Sequence, residues 1–283
     1  MQRDAPADPH APSALGRTAA VAHRRVPSDH ARRAARHWWD NDAANYLRDH
    51  GTDIGDVDLL WCPEGLRESQ VQLLGPPQSL HGKTILEMGC GSAPVSRWLR
   101  IAGAHPVGFD LSMGMLKHAR EINERTAINV ALVQADAQRF PFRSASFDMV
   151  ISAFGAVAFI AEPDQVMAEA ARVLRPGGRL VFSTNHPMRW VFPDSPQARD
   201  LTVQTSYFDT DDYVEVDDHD QPTYVETHRT MGQRIRDLVA AGLVIDDVIE
   251  PQWLAGRDVV WGQWSAERAA LVPGTVIFCA HKP

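Results

Sequence analysis

From Lys83 to Thr184 the chain alternates short apolar runs with stretches of helical spacing, and this alternation restricts the fold more than any other feature. "TILEMG" reads as a strand and "PVSRWLRIAG" as a helix stopped by Gly103. "HPVGFD" is a strand, "MGMLKHAREIN" a helix and "NVALVQAD" a strand. "SFDMVISAF", the helix "EPDQVMAEAARVL" ended by Pro176-Gly177-Gly178, and "GRLVFST" continue the rhythm. After a helix in "MGQRIRDLVAAG", the runs "LVIDDVIEP" and "TVIFCAHKP" supply two last strands. Strands that alternate with helices need crossover connections, which lay helices on both faces of a mostly parallel sheet. The expectation is therefore an α/β fold with a doubly wound seven-stranded sheet. With 44% apolar residues among 283, the chain can bury one sizeable core and an accessory layer.

The flanks differ in texture. Residues 1–34 are rich in Ala, Pro, Arg and His and read as a flexible tail, and residues 1–36 carry seven arginines against three aspartates. Residues 35–78 read as a helical cap: "HARRAARHWWDNDAANYLRDHG" has helical spacing with Gly51 as a stop, and "RESQVQLLG" is a second, short helix. Residues 79–283 form the main domain. Within it, about 186–228 break the rhythm with Tyr, Val and Thr alternating with acids, which predicts an inserted antiparallel β lid. Cys62, Cys90 and Cys279 are odd in number and lack metal-ligand spacing, so neither a disulfide framework nor a metal site is expected. With no apolar run of about 18 residues and no continuous apolar leader, a cytoplasmic protein is expected, with no membrane partner.

"EMGCGSAP" ends a strand on a carboxylate and follows it with a turn too small for side chains, which brings backbone close to a ligand at the carboxyl edge of the sheet. A dinucleotide is one candidate, but its fingerprint breaks at Pro94. S-adenosylmethionine is the other. Glu87 at the strand end would take up its positive side against Gly89 and Gly91. Asp110 in "VGFDLSMGML" would accept both ribose hydroxyls, and Asp136 in "LVQADAQRFPF" would accept from the adenine amino group.

"ILEMGCGSAP", "GFDLSMGML", "QADAQRFPFRSASFDMVIS" and "VLRPGGRLV" resemble the ordered motifs of class I S-adenosylmethionine-dependent methyltransferases, above all the small-molecule kind that includes the ubiquinone-biosynthesis enzymes. The resemblance implies a Rossmann-like methyltransferase fold with strand order 3214576 and the last strand antiparallel. It implies cofactor contacts at Tyr46, Glu87, Gly89, Gly91, Asp110, Leu111, Met115, Asp136, Ala137 and Ser152, with Tyr46 closing over the cofactor from the helix "HWWDNDAANY". Where the family usually has a third glycine, this chain has Ala93, which implies less room beside the methionine end. Cys90, between turn glycines, reads as a small filler rather than a nucleophile.

Beyond these motifs, His186 in "FSTNHP" follows the fifth strand directly and is the expected general base, with Tyr46 as a second catalytic candidate. The alternative for His186 is a histidine that orients the loop before Pro187. All four tyrosines and every tryptophan except Trp98 lie outside residues 80–184. Trp39, Trp61, Trp190, Tyr207 and Tyr224 are the expected walls of a pocket for a flat, largely apolar acceptor. Residues 190–226 hold ten Asp or Glu and one Arg, which argues against nucleic acid or another polyanion. The expected activity is methyl transfer to a small aromatic metabolite bearing an indole, phenol or amine, in secondary metabolism. A cofactor-binding sensor or scaffold is the alternative, and a homodimer is left open.

Overall fold

The computed structural model describes residues 19–283. The chain enters through strand β1 (Ala20–His23) and a long helix α1 (Ser28–Ile54), followed by the single turn α2 (Glu68–Val71). Then come β2 (Thr84–Met88), α3 (Pro94–Ile101), β3 (His105–Asp110), α4 (Met113–Thr126), β4 (Ala131–Gln134), β5 (Phe147–Ser152), α5 (Pro163–Val173) and β6 (Leu174–Asn185). The antiparallel pair β7 (Tyr213–Val216) and β8 (Pro222–Glu226) precedes α6 (Met231–Ala240), β9 (Val244–Ile249), α7 (Ala266–Ala269) and β10 (Thr275–His281).

The main sheet has seven strands in the order β4-β3-β2-β5-β6-β10-β9, and β10 runs antiparallel to both neighbours. Counted within this sheet, that is the order 3214576 implied by the motifs. Side chains alternate between the two faces with the two-residue period of a strand. Leu86, Met88, Val150, Leu180, Phe182 and Phe278 pack beneath α5 and α6, with Val166, Met167 and Leu238. Ile85, Met149, Ile151, Val181 and Ile277 face the other way, against Val95 and Leu99 of α3 and against Leu59, Trp61 and Leu80. Both faces are covered, which explains why these strands read as continuous apolar runs.

The lid is a second sheet of three strands, ordered β1-β7-β8. The N-terminal strand is its first member: Ala20 pairs with Val216 and His23 with Tyr213. The expectation of a flexible tail over residues 1–34 is corrected here, for the part that lies within the described residues. Val26 joins Ala31 and Ala34 of α1 and Val214, Val216 and Val225 of the hairpin in a small core of its own. No local pattern in "AVAH" announces a strand, because its partner edge lies about 190 residues away along the chain. Residues 1–18 lie outside the described residues. The helical cap also begins earlier than expected, at Ser28. Gly51 does not stop α1, which runs to Ile54 and ends at Gly55 with φ +74°.

Helix α1 is fastened to the sheet's carboxyl edge by one carboxylate. Asp40 Oδ1 accepts from Ser112 Oγ (2.9 Å) and from the Gly114 N–H (2.8 Å) at the start of α4. A Cβ on Gly114 would sit 2.4 Å from the Asp40 carbonyl oxygen, so the two helices meet where a side chain has no room.

Candidate functional site

The turn after β2 is shaped by close packing. Gly89 adopts φ +63°, and a Cβ there would lie 2.7 Å from that of Ala156. Gly91 adopts φ +52° and leaves room for the Met115 methyl. Ala93, standing where a third glycine was expected, takes φ +60°, the left-handed conformation that glycine favours. Glu87 is buried at the strand end. Its Oε2 accepts from the Ser96 N–H (2.8 Å) and Oγ (2.5 Å) in the first turn of α3. Burial pushes the Glu87 carboxyl up to about 7, against the lowering effect of Ser96 and Arg97.

Asp110 closes the same turn. Its Oδ2 accepts from the Gly91 N–H and its Oδ1 from the Ser112 N–H, both at 2.8 Å. Burial raises this carboxyl, and the two backbone donors oppose the rise. Asp136 accepts from the Gln138 N–H (2.8 Å) and faces Arg32 Nη1 of α1 at 3.4 Å. Carboxylate oxygens have two lone pairs each, so these acids keep acceptor capacity for a ligand.

A cavity of about 470 Å³ extends from this turn to the lid, a volume within the usual range for small-molecule sites. Nine of the ten expected cofactor positions line it: Tyr46, Glu87, Gly89, Gly91, Asp110, Leu111, Met115, Asp136 and Ala137. Ser152 does not. It is fully buried and its hydroxyl has no partner, while the next residue, Ala153, reaches the cavity.

Among the expected acceptor walls, Trp39 and Tyr224 line the cavity. Three others are corrected. Trp61 is a core anchor whose indole N–H donates to Glu68 Oε2 (2.9 Å), and its neighbours Leu60 and Cys62 line the cavity instead. Trp190 lies behind Arg189, with the guanidinium 4.5 Å over its ring. Tyr207 uses its hydroxyl to accept from the Met231 N–H (2.7 Å) at the start of α6.

His186 is also corrected. It does not line the cavity. Nδ1 accepts from the Met188 N–H at 3.1 Å, so the other nitrogen carries the proton and faces Glu250 Oε1 at 2.9 Å. Both nitrogens are engaged in orienting the loop before Pro187, and burial holds the imidazole below its ordinary pKa. Tyr46 does face the cavity. Its ring lies against Trp39 (5.2 Å), His50 (5.0 Å) and Trp261 (6.1 Å), and burial pushes its phenol far up, so it stays protonated.

Several further residues line the cavity: Trp38, Tyr213, Trp261 and Trp264 belong to the aromatic-rich segments outside residues 80–184, whereas Phe159 and His50 carried no sequence signal of their own. Trp38, Phe159 and Tyr213 surround Tyr224 at 4.9, 5.7 and 6.3 Å. A buried polar cluster closes the lid end: Glu226 accepts from Arg189, from Tyr224 and, at 2.9 Å, from Asn185. His50, Trp261 and Trp264 complete the wall. Among the described residues no group of three or more His, Cys, Asp or Glu is placed to hold a metal ion, and no helix is long and apolar enough to cross a membrane.

Residues 86–182 match the family described as a methyltransferase domain. A ubiquinone/menaquinone biosynthesis C-methyltransferase from Stutzerimonas stutzeri is 30% identical over 194 residues, 66% of this chain and 72% of that protein. Other curated relatives align over less: three demethylmenaquinone methyltransferases match over 107 to 128 residues, and the chain spans 42% to 54% of their lengths. In fold, an S-adenosylmethionine-dependent methyltransferase from Mesorhizobium loti superposes with a TM-score of 0.56 at 22% identity, covering 76% of this chain and 96% of that one. A 1,6-didemethyltoxoflavin-N1-methyltransferase from Burkholderia thailandensis, with bound 1,6-didemethyltoxoflavin and S-adenosylhomocysteine, gives 0.57 at 15% identity over 93% of this chain and 94% of that one.

Proposed function

Because the chain belongs to the class I S-adenosylmethionine-dependent methyltransferase family, we propose that its cavity holds the cofactor at the glycine turn and a flat aromatic acceptor under the lid. The cofactor's chemistry suits the residues present. It offers a ribose diol, an adenine amino group and a cationic sulfonium to Asp110, Asp136 and Glu87, three acids at the ends of three adjacent strands. Gly89 and Gly91 both line the cavity without side chains, so the turn can present its backbone to the cofactor. When bound, S-adenosylmethionine supplies an electrophilic methyl group whose bonding electrons stay with sulfur as it leaves.

The observation that carries the acceptor class is continuity. One cavity joins the glycine turn to a wall of Trp38, Trp39, Phe159, Tyr213 and Tyr224. These rings would clamp a planar acceptor edge and face, and the enclosing hairpin β7–β8 would hold it against the cofactor end. Orientation of this kind contributes most of the rate in simple methyl transfer. Asp42, Asp194, Glu215 and Glu226 line the same space against a single arginine, Arg189, so a neutral or cationic acceptor fits and a polyanion does not. Phenols, indoles and amine-bearing aromatics of secondary metabolism meet this description. So do the quinol rings suggested by the names of the relatives.

The test is a mass-spectrometric screen of phenols, naphthols, hydroquinones, indoles and aromatic amines for a gain of one methyl, with release of S-adenosylhomocysteine measured in parallel. Tight cofactor binding without product from any of these classes would refute the acceptor reading and favour a cofactor-binding sensor.

A further inference from the structure

Methylation of an O–H, N–H or ring C–H nucleophile replaces one hydrogen of the acceptor, so one proton leaves in every such turnover, and the histidine after β6 is turned away from the cavity. We propose that His50 of α1 receives that proton, an assignment that rests on the cavity reading above. It narrows the acceptor class to aromatics whose nucleophile is a protonated O–H or ring N–H at neutral pH.

His50 lines the cavity one helical turn beyond Tyr46. Its imidazole stacks on Trp261 with ring centres 4.1 Å apart and planes 6° from parallel, and tilts against Tyr46 at 5.0 Å. Neither ring nitrogen makes a hydrogen bond among the described residues. His186 differs in having both nitrogens engaged, and His228, whose Nε2–H donates to the Tyr207 carbonyl oxygen at 2.9 Å, does not line the cavity.

Packing, not hydrogen bonding, fixes the orientation of the His50 ring. Trp261 and Trp264 exchange two backbone hydrogen bonds of 2.9 Å around Gly262, and Trp264 sets its edge against Phe154 at 5.2 Å, just beyond β5. A ring held by its faces keeps its nitrogens available at its edge.

The electrostatics suit a proton acceptor. Burial lowers the imidazole pKa, so the ring is the neutral base at pH 7. Asp49, Asp53 and Asp42 act in the other direction and favour the imidazolium once a proton arrives. Asp53 is itself paired with Arg257 and Arg67, and Asp49 with Arg48, while Asp42 accepts from Asn45 and lines the cavity. In the step, the acceptor's O–H or N–H bond breaks and its electron pair forms the bond to the methyl carbon. The proton goes to the imidazole and then to water.

The experiment compares the full-length wild type with His50→Gln and His50→Asn, using phenol, 1-naphthol and indole as probes. Calorimetry gives cofactor affinity, and ring-carbon NMR, with the His50 resonance assigned by its loss in His50→Gln, gives the titration and the response to each probe in the S-adenosylhomocysteine complex. The expected result is a fall in turnover of about 10²–10⁴-fold with unchanged cofactor affinity. The wild-type rate should rise with pH through a His50 titration below the ordinary histidine range, a limb absent in both variants. A normal turnover in either variant, or a loss of cofactor affinity that accounts for the fall, overturns the role of His50. If no probe is methylated by wild type, the acceptor class fails separately. The NMR response then decides: a His50 resonance moved by a probe upholds its place at the acceptor, and one unmoved by all three overturns it.

Discussion

Glu226→Ala tests how the lid end is held together. Glu226 is buried, and its carboxylate accepts from Arg189, Tyr224 and Asn185 at once. Removing it leaves the Arg189 guanidinium, itself 9% exposed, without its close counter-ion. Its Nε already has no partner, and the next anion, Asp194, is 3.9 Å away and 57% exposed. Deleting one member of a buried pair costs about 3–5 kcal/mol, because the remaining charge stays buried. The faces of Trp190 and Trp264, 4.5 and 5.1 Å from the guanidinium carbon, offset part of this and place the expectation near the lower figure, about 3 kcal/mol. For a chain of this size that corresponds to a fall in Tm of roughly 6–12 °C, at about 2–4 °C per kcal/mol. Scanning calorimetry or thermal circular dichroism reads it directly. The reasoning also predicts partial recovery in the double variant Glu226→Leu with Arg189→Met, since no unpaired charge then remains. A single-variant Tm within about 1 °C of wild type, which would be under 1 kcal/mol, would refute the claim that this pair is buried from water. So would a double variant no more stable than the single one.

Four further outcomes are expected. Asp110→Ala should weaken S-adenosylmethionine binding by about 1.5–3 kcal/mol, the worth of hydrogen bonds to a charged group, and an unchanged calorimetric affinity in a folded variant would remove Asp110 from the site. His186→Gln should retain turnover, because its nitrogens serve the Met188 N–H and Glu250 rather than the cavity; a hundredfold loss would return it to catalysis. Glu87, with its carboxyl raised from 4.5 to about 7, holds a proton below that pH, and a cationic ligand favours its ionised form, so cofactor binding should release a proton and tighten as pH rises from about 5 to 7. Calorimetry in buffers of different ionisation enthalpy measures that proton, and an affinity independent of pH across this window would contradict the assignment. Removal of the chain through residue 27 should lower Tm by several degrees, because β1 and Val26 leave with it; an unaltered melting curve would mean that the strand adds nothing to the lid.

The sequence located segments well and side-chain directions poorly. Gly89, Gly103 and Asp110 mark where strands and helices begin or end through local backbone chemistry, and the sheet order comes from the resemblance to the methyltransferase family rather than from those marks. The errors at the site are errors of direction within correctly placed segments. Trp61 lies between Leu60 and Cys62, and the two-residue alternation that brings those neighbours to the cavity sends the indole into the core. Ser152 and Trp190 likewise stand next to Ala153 and Arg189, which do reach the cavity. His186 has the chain position of a base, but a two-residue cap onto the Met188 N–H turns its ring away. His50 escaped notice because nothing along α1 reveals that Trp261, more than 200 residues later, supplies the face on which it stacks. Strand β1 was missed for the same kind of reason.

The dependence of β1 on so distant a partner also sets an order in time. Its register pairs Ala20 with Val216, so on a ribosome moving at about 5–20 residues per second the strand waits on the order of 10–40 s for its partner. Throughout that interval an unpaired edge and the apolar side of α1 are exposed to other nascent chains, which is the situation in which edge strands aggregate. The arginines placed along this stretch, Arg24, Arg25, Arg32, Arg33 and Arg36, put like charge on every copy and discourage such encounters. Arg24 then changes task when the hairpin arrives, pairing with Asp220 at 2.7 Å in the turn between β7 and β8.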